Sequence, residues 1–272
     1  MQRFPVFVVG SPRSGTSVIT SALMGAGYRG YNEGNFLSLL AGLEKLVDAH
    51  FKAFGSTNPR ALTSAIDPSE VKRGLFKVIH DQVADKYGGQ PWLDKSGTEE
   101  MIASIPILLA LWPEACFIFA KRRALENIVS RIRKFPHKPF EQHCISWTRT
   151  MAAWGKMREQ FPDLAAIELD QRELADMPEM AAQRIAGLLD LPAEAQARIE
   201  ATFTKGRPQE TETGSASRIL ALRTVGWTQE EQDIFRLRCT EQMRLNNYTM
   251  DQRYWRDTPP GFVPRPMVAA TG

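Results

Sequence analysis

The stretch Phe4-Pro5-Val6-Phe7-Val8-Val9-Gly10-Ser11-Pro12-Arg13-Ser14-Gly15-Thr16-Ser17 decides the fold. Its first half is a run of β-branched and aromatic residues that reads as a buried strand. Small residues and two glycines then carry the chain into a helix beginning near Thr16. Such a turn is a phosphate cradle. Successive backbone N–H groups converge on an anion, the hydroxyls of Ser14, Thr16 and Ser17 add donors, and the positive end of the helix lies beneath. An arginine in a turn often makes only a surface ion pair, but Arg13 inside a glycine cradle reads as an anion ligand.

Along the rest of the chain, strand and helix patterns alternate, which argues for a three-layer α/β architecture: a mostly parallel central sheet with helices on both faces. Val18, Ile19, Ala22 and Leu23 form the apolar stripe of the helix after the cradle. A second helix is expected from about Asn35 to Phe54. Asp67-Pro68-Ser69-Glu70 carries an N-cap acid with proline in the first turn, and Thr228-Gln229-Glu230-Glu231 is a capping box that opens a helix reaching Leu245. Helices are also expected over Thr98 to Trp112, Phe140 to Phe161 and Ala181 to Leu189, with strands at Cys116 to Lys121 and around Ala165-Ile167-Leu169. The chain divides into one domain, 1–257, and a proline-rich tail, 258–272, with Pro259, Pro260, Pro264 and Pro266.

With 272 residues, 43% hydrophobic and 24% charged, the chain can bury a full core. A net charge of +3 favours an anionic ligand but falls far short of a dedicated nucleic-acid binder, so no nucleic-acid partner is expected. Cys116, Cys144 and Cys239 have neither metal-ligand nor redox spacing and suit a reducing compartment. The most apolar window, Ile105 to Ala120, is interrupted by Pro106, Pro113 and Glu114, so no membrane span is expected. A core strand starting at Phe4 leaves no space for a leader, and a cytoplasmic location is the expectation. Oligomeric state stays open.

The cradle nearly fits the nucleoside-triphosphate P-loop, with Gly10 and Gly15 in place, but Thr16 stands where that pattern has lysine and the cation has moved back to Arg13. Gly-Ser-Pro-Arg-Ser-Gly-Thr-Ser after an N-terminal strand instead resembles the 5′-phosphosulfate loop of sulfotransferases that use 3′-phosphoadenosine 5′-phosphosulfate (PAPS). A second match lies at Cys116-Phe117-Ile118-Phe119-Ala120-Lys121-Arg122-Arg123. The family places an arginine at this strand end and a serine eight residues on, both on the 3′-phosphate, and Arg122 and Ser130 have that spacing. Arg123 and Ala124 replace the family's usual acid and proline, which leaves Arg123 as an alternative ligand. A third match is Trp92-Leu93-Asp94-Lys95-Ser96, a short strand ending in lysine, as in the tyrosylprotein and carbohydrate branches.

The resemblance implies a P-loop NTPase-like sulfotransferase fold, PAPS as donor with 3′-phosphoadenosine 5′-phosphate (PAP) as product, no metal requirement, and a hydroxylated small-molecule or glycan acceptor. By it, Arg13, Ser14, Gly15, Thr16 and Ser17 hold the 5′-phosphosulfate, Arg122 and Ser130 the 3′-phosphate, and the basic loop Lys205-Gly206-Arg207 closes over it. Arg13 and Lys95 stabilise leaving-group charge. Glu33, in Gly30-Tyr31-Asn32-Glu33-Gly34, lies near the family's catalytic glutamate and is the candidate base, with His50 and His80 as rivals. Lys95 also reads as an exposed strand-end lysine, and Glu33 as a solvated loop residue. Arg131, Arg133 and Lys134 read as a solvated helix face, and Trp147 and Trp154 as packing. A kinase-type P-loop enzyme and a non-catalytic nucleotide binder are the alternatives.

Overall fold

The computed structural model describes residues 5–54, 59–205 and 219–257. Strands β1 (Val6–Gly10), β2 (Leu93–Lys95), β3 (Cys116–Lys121) and β4 (Ala166–Asp170) form one parallel sheet in the order β2-β1-β3-β4. The connecting helices are α1 (Thr16–Gly25), α2 (Leu39–Phe54), α3 (Pro68–Tyr87), α4 (Glu99–Ala103), α5 (Ile105–Leu111), α6 (Ala124–Lys134), α7 (Phe140–Gln160), α8 (Gln171–Asp176), α9 (Pro178–Leu189), α10 (Ala193–Thr204) and α11 (Gln229–Leu245). The chain leaves β1 toward one neighbour and returns past it to the other, so the strand order switches at β1, and ligands of open α/β sheets collect at the carboxyl ends there.

Strand alternation splits the core into two layers. Phe7, Val9, Phe117 and Phe119 face a layer with α4 to α7 and α11, where Phe119 stacks on Trp154 at 4.6 Å between centroids. Val6, Val8, Ile118 and Ala120 face α1, α9 and α10. Each fully buried side chain of this kind contributes roughly 1.5–3 kcal/mol. The packing role expected of Trp147 and Trp154 matches their burial in the first layer.

Two expected helices are shorter or broken, for local reasons. The helix expected from Asn35 begins at Leu39, because Asn35 takes a left-handed φ of 54° and its N–H donates to Ser96 Oγ at 3.0 Å. The helix expected over Thr98 to Trp112 is two helices meeting at Ser104, since Pro106 in the first turn of α5 brings no N–H to continue the ladder. Both expected caps, at Asp67 and Thr228, are present. The tail 258–272 lies outside the described residues.

The segment after α11 is tied to the sheet by one buried acid, Asp170, and one buried base, Arg123. Tyr248 and Tyr254 donate their hydroxyls to Asp170 at the end of β4. Arg123, fully buried, spends its guanidinium on Glu126 and on the carbonyls of Leu220, Thr249 and Asp251. Arg123→Met strands the Glu126 carboxylate and these carbonyls, so we expect a loss of about 3–5 kcal/mol in urea unfolding; a loss below about 1 kcal/mol would show that this pair does not hold the C-terminal segment.

Candidate functional site

The turn between β1 and α1 is pressed against β3. A Cβ on Gly10 (φ 143°) would sit 2.2 Å from the carbonyl oxygen of Ala120, so only glycine fits there. Gly15 is the α1 N-cap in a left-handed conformation, with no side chain capping the first helical N–H groups. Arg13 also has a positive φ, 74°, uncommon for a residue with a side chain and characteristic of strained functional turns.

Helix α6 buttresses this turn. Asn127 Nδ2 donates to Pro12 O and Ser14 Oγ, both at 3.0 Å, and Arg13 Nε donates to Ser130 Oγ at 3.0 Å. Arg122, at the end of β3, donates from Nη1 to the carbonyl of Arg13 at 3.2 Å, while its buried Nε has no partner. Burial, and secondarily the Arg122 charge, push the Arg13 pKa below the ordinary arginine value. The two cations thus stand close together, and Arg122 keeps a desolvated N–H in reserve. A phosphate-bearing ligand fits such a cradle, because it would supply the acceptor that this N–H lacks.

Arg131 corrects the sequence reading. It is 3% exposed rather than solvated, and its Nη1 reaches Ser11 Oγ at 3.4 Å behind the cradle. Burial pushes its pKa down to about 10. Beside it lies buried His143, held below the usual histidine pKa by burial and by the Arg131 charge. Arg133 and Lys134 are exposed, as expected. The spacing of Asn127, Ser130 and Arg131, three and then four residues from the first, puts them on one helical face. Reading α6 for that face was the available signal for Asn127 and Arg131. Arg123 points away from the cradle, with its guanidinium spent on Glu126 and the C-terminal segment.

The sheet's other flank gathers the remaining candidates. Residues 29–34 run alongside β2, bonded through Leu93 N to Arg29 O at 2.8 Å and Gly34 N to Lys95 O at 2.8 Å. A Cβ on Gly34 would lie 2.0 Å from Asp94 Oδ1, so glycine lets this segment press against the strand. Glu33 is therefore not a free loop residue. Its Oε1 accepts from Lys95 Nζ at 2.6 Å, joining an exposed carboxylate to a buried lysine across 62 positions of sequence. Ser96 Oγ donates to Asp94 Oδ2 at 3.0 Å and accepts from Asn35 N, which anchors the far side of the segment.

The rival bases lie elsewhere. His80 stacks on Trp112 at 5.2 Å, beside Trp92 and the amino ends of β2 and β3, and exposed His50 packs against Phe51 and Phe54 far along α2. Thr16 is buried and Ser17 half-buried at the start of α1. Lys205 is exposed at the end of α10. Gly206 and Arg207 lie outside the described residues. A depression of about 430 Å³ beyond β4 has its charges paired internally, Lys121 with Glu168 and Arg184 with Glu173, and includes none of the candidates.

A sulfotransferase family model matches residues 5–195. The chain belongs to the sulfotransferase family. Its fold is shared with the sulfotransferase domain from the curacin biosynthetic pathway (TM-score 0.54, 14% identity, covering 88% of this chain and 98% of that one). It is shared too with a sulfotransferase from Mycobacterium avium (TM-score 0.53, 16% identity, 92% and 79% covered) and the sulfotransferase domain from the Synechococcus PCC 7002 olefin synthase (TM-score 0.51, 20% identity, 75% and 81% covered). No curated protein sequence matches the chain significantly. At these identities the likeness establishes the fold of this sulfotransferase, and the site must be argued from its own residues. Among the described residues, no helix is long and apolar enough to cross a membrane.

Burial pushes the Asp94 carboxyl up to about 6, against an ordinary value near 4. The folded chain therefore holds a proton near pH 5 that the unfolded chain has released, and the associated stability fades as pH rises from about 4 through 6. Between pH 4.5 and 7.5 the parent should lose about 2 kcal/mol more than Asp94→Asn in urea unfolding; identical losses would mean that this carboxyl is ionised at both.

Proposed function

We propose that this sulfotransferase moves a sulfuryl group from PAPS to a hydroxyl acceptor, with the cradle and the end of β3 holding the donor and the Glu33–Lys95 pair meeting the acceptor. The observation that carries the reading is the convergence of Arg13, Ser130 and Arg122 on a glycine turn, with the buried Nε of Arg122 lacking an acceptor. In the proposal the backbone N–H groups of residues 14–17 and Arg13 hold the 5′-phosphosulfate. Arg122 and Ser130 hold the 3′-phosphate, Ser130 turning from Arg13 to the ligand.

When bound, the donor supplies a sulfuryl group whose S–O bond to the 5′-phosphate breaks, the electron pair leaving on the phosphate oxygen, as the bond to the acceptor oxygen forms. The closest physical analogue is phosphoryl transfer, in which positioning and charge stabilisation supply most of the rate. Arg13 and Lys95 set fixed positive charge against the oxygen that becomes negative. Because Lys95 is 6% exposed in its side chain, little water screens it. Glu33 accepts the acceptor's hydroxyl proton. Its present bond to Lys95 places base and cation within one hydrogen bond, so a hydroxyl entering there meets both.

PAP should bind in the micromolar range in calorimetry without metal, and removing its 3′-phosphate should weaken binding at least tenfold, the span of a hydrogen bond to a charged group. Arg122→Ala should reproduce that loss. Equal affinity with and without the 3′-phosphate, or preference for ATP with magnesium, would remove the assignment.

For the chemical step, Lys95→Ala and Glu33→Gln should each lower turnover about a hundredfold or more while PAP affinity holds within a few-fold. Acceptors with low hydroxyl pKa should suffer least from Glu33→Gln. A folded Lys95→Ala variant turning over within a few-fold of the parent would strip Lys95 of its role.

A further inference from the structure

Of the twelve exposed large hydrophobic side chains among the described residues, ten lie between Met24 and Val78 in sequence, and the other two are Leu237 and Leu245 on α11. Where such side chains line up on one face, they mark a place where something apolar binds. The core of this region is a stripe on α2. At 100° per residue, Leu39, Leu43, Leu46 and His50 fall within an arc of about 60°, and they extend for roughly 16 Å along the helix. Leu39 is 47% and Leu46 67% exposed, while Leu40 and Val47 on the neighbouring face carry the burial that holds α2 in place. Leu43 between them is half-buried against the core, so the stripe is open at Leu39 and Leu46 and seated at its middle.

The stripe starts at the reaction centre. Phe36, 46% exposed, lies three residues after Glu33, and the intervening Asn35 is bonded to Ser96, next to Lys95. Tyr31, 54% exposed, flanks Glu33 on the other side. Along the chain from Glu33 the next exposed apolar residues are Phe36, whose carbonyl accepts from Leu39 N at 3.1 Å, Leu39 and Leu46, with half-buried Leu43 between the last two and no hydrogen-bonding side chain on the stripe before His50. A stripe one helix wide is too small for a stable dimer, which needs about 800 Å² and 20 or more residues from each partner. It does suit one elongated apolar molecule held at one end by a polar contact.

Resting on the sulfotransfer reading, we infer that the acceptor is a hydrophobic alcohol, its hydroxyl at Glu33 and its apolar body along Phe36, Leu39, Leu43 and Leu46, rather than a free sugar. The hydroxyl proton passes to the Glu33 carboxylate as the acceptor oxygen takes the sulfuryl group. The rest of the molecule contributes affinity through the area it removes from water.

The test is calorimetric titration of 1-butanol, 1-octanol and 1-decanol into the protein with and without PAP, in the parent and in Leu39→Ser/Leu46→Ser. Fully burying a methylene is worth about fourfold in affinity, and a chain lying with one side on the stripe should gain about twofold per methylene, or roughly sixtyfold from butanol to decanol. The double variant replaces exposed residues, so it should fold and bind PAP like the parent while flattening the series. Glucose should not bind measurably. A flat series in the parent, or an unchanged slope in the variant, overturns the inference. So does a concentration-dependent dimer in sedimentation that the double variant dissolves, because the stripe then belongs to a second copy. If the alkanol slope is present and PAP does not bind, the apolar site stands and the sulfotransfer reading falls.

Discussion

Like charges held together at one sheet edge are the constraint on which this structure turns. Arg13, Arg122 and Arg131 converge around a single turn, and Lys95 stands at the end of the strand on the other side of β1. No carboxylate bonds the Arg122 or Arg131 guanidinium in the contacts described, whereas Lys95 has Glu33. For these two the fold supplies neutral acceptors: the carbonyl of Arg13 for Arg122 and the hydroxyl of Ser11 for Arg131. Neutral acceptors hold these two cations in position without cancelling their field, and the donor anion of the proposed reaction would meet that field undiminished. A carboxylate at either position would offset the field that the neutral acceptor leaves intact.

Holding the edge together requires close backbone contact, and that explains which glycines matter. Gly10 brings the turn against Ala120, so Arg13 is carried on a backbone braced by β3. Gly34 brings the other flank against Asp94, so Glu33 reaches Lys95. Asp94 illustrates the cost. Its carboxyl is buried beside the segment it braces, and burial raises its pKa, since a desolvated negative charge has few partners there. Asp170 faces the same penalty at the end of β4 and meets it with two tyrosine hydroxyls and the backbone N–H of Arg172.

The strand, cradle and strand-end cations were legible in the sequence because each is local. Hydrophobic runs ending in Gly-Ser-Pro-Arg or Lys-Arg-Arg announce a parallel α/β sheet with charge at its carboxyl edge. What the sequence did not reveal depends on contacts across long separations. Arg122 and Arg123 are adjacent and chemically identical, and only the burial of Glu126 and the return of residues 249–251 decide which one turns inward. Arg131 looked solvated because its neighbours Arg133 and Lys134 are. Its burial follows from helical phase, which places it with Asn127 against the turn rather than with them. Ser104 and Pro106 similarly split a helix whose hydrophobic pattern ran straight through.

Glu33 and Lys95 show how exposure divides the labour within one ion pair. Lys95 is nearly buried and carried by a strand, so its charge is fixed in place and costs no reorganisation when negative charge develops near it. Glu33 is largely exposed and carried by a segment pinned at Gly34 and Asn35, so its carboxylate is hydrated until something covers it. An apolar molecule lying over Phe36 and Leu39 would strip that water as it arrives. Removing it strengthens the attraction between the pair and raises the cost of leaving the carboxylate charged, a cost that proton transfer from a hydroxyl at the head of that molecule would relieve. On this argument the apolar surface beside Glu33 and the polar pair at its head belong to one device. In the proposed reaction, apolar contact along α2 would prepare Glu33 as base while the fixed cations on the far side of β1 meet the charge released on the leaving group.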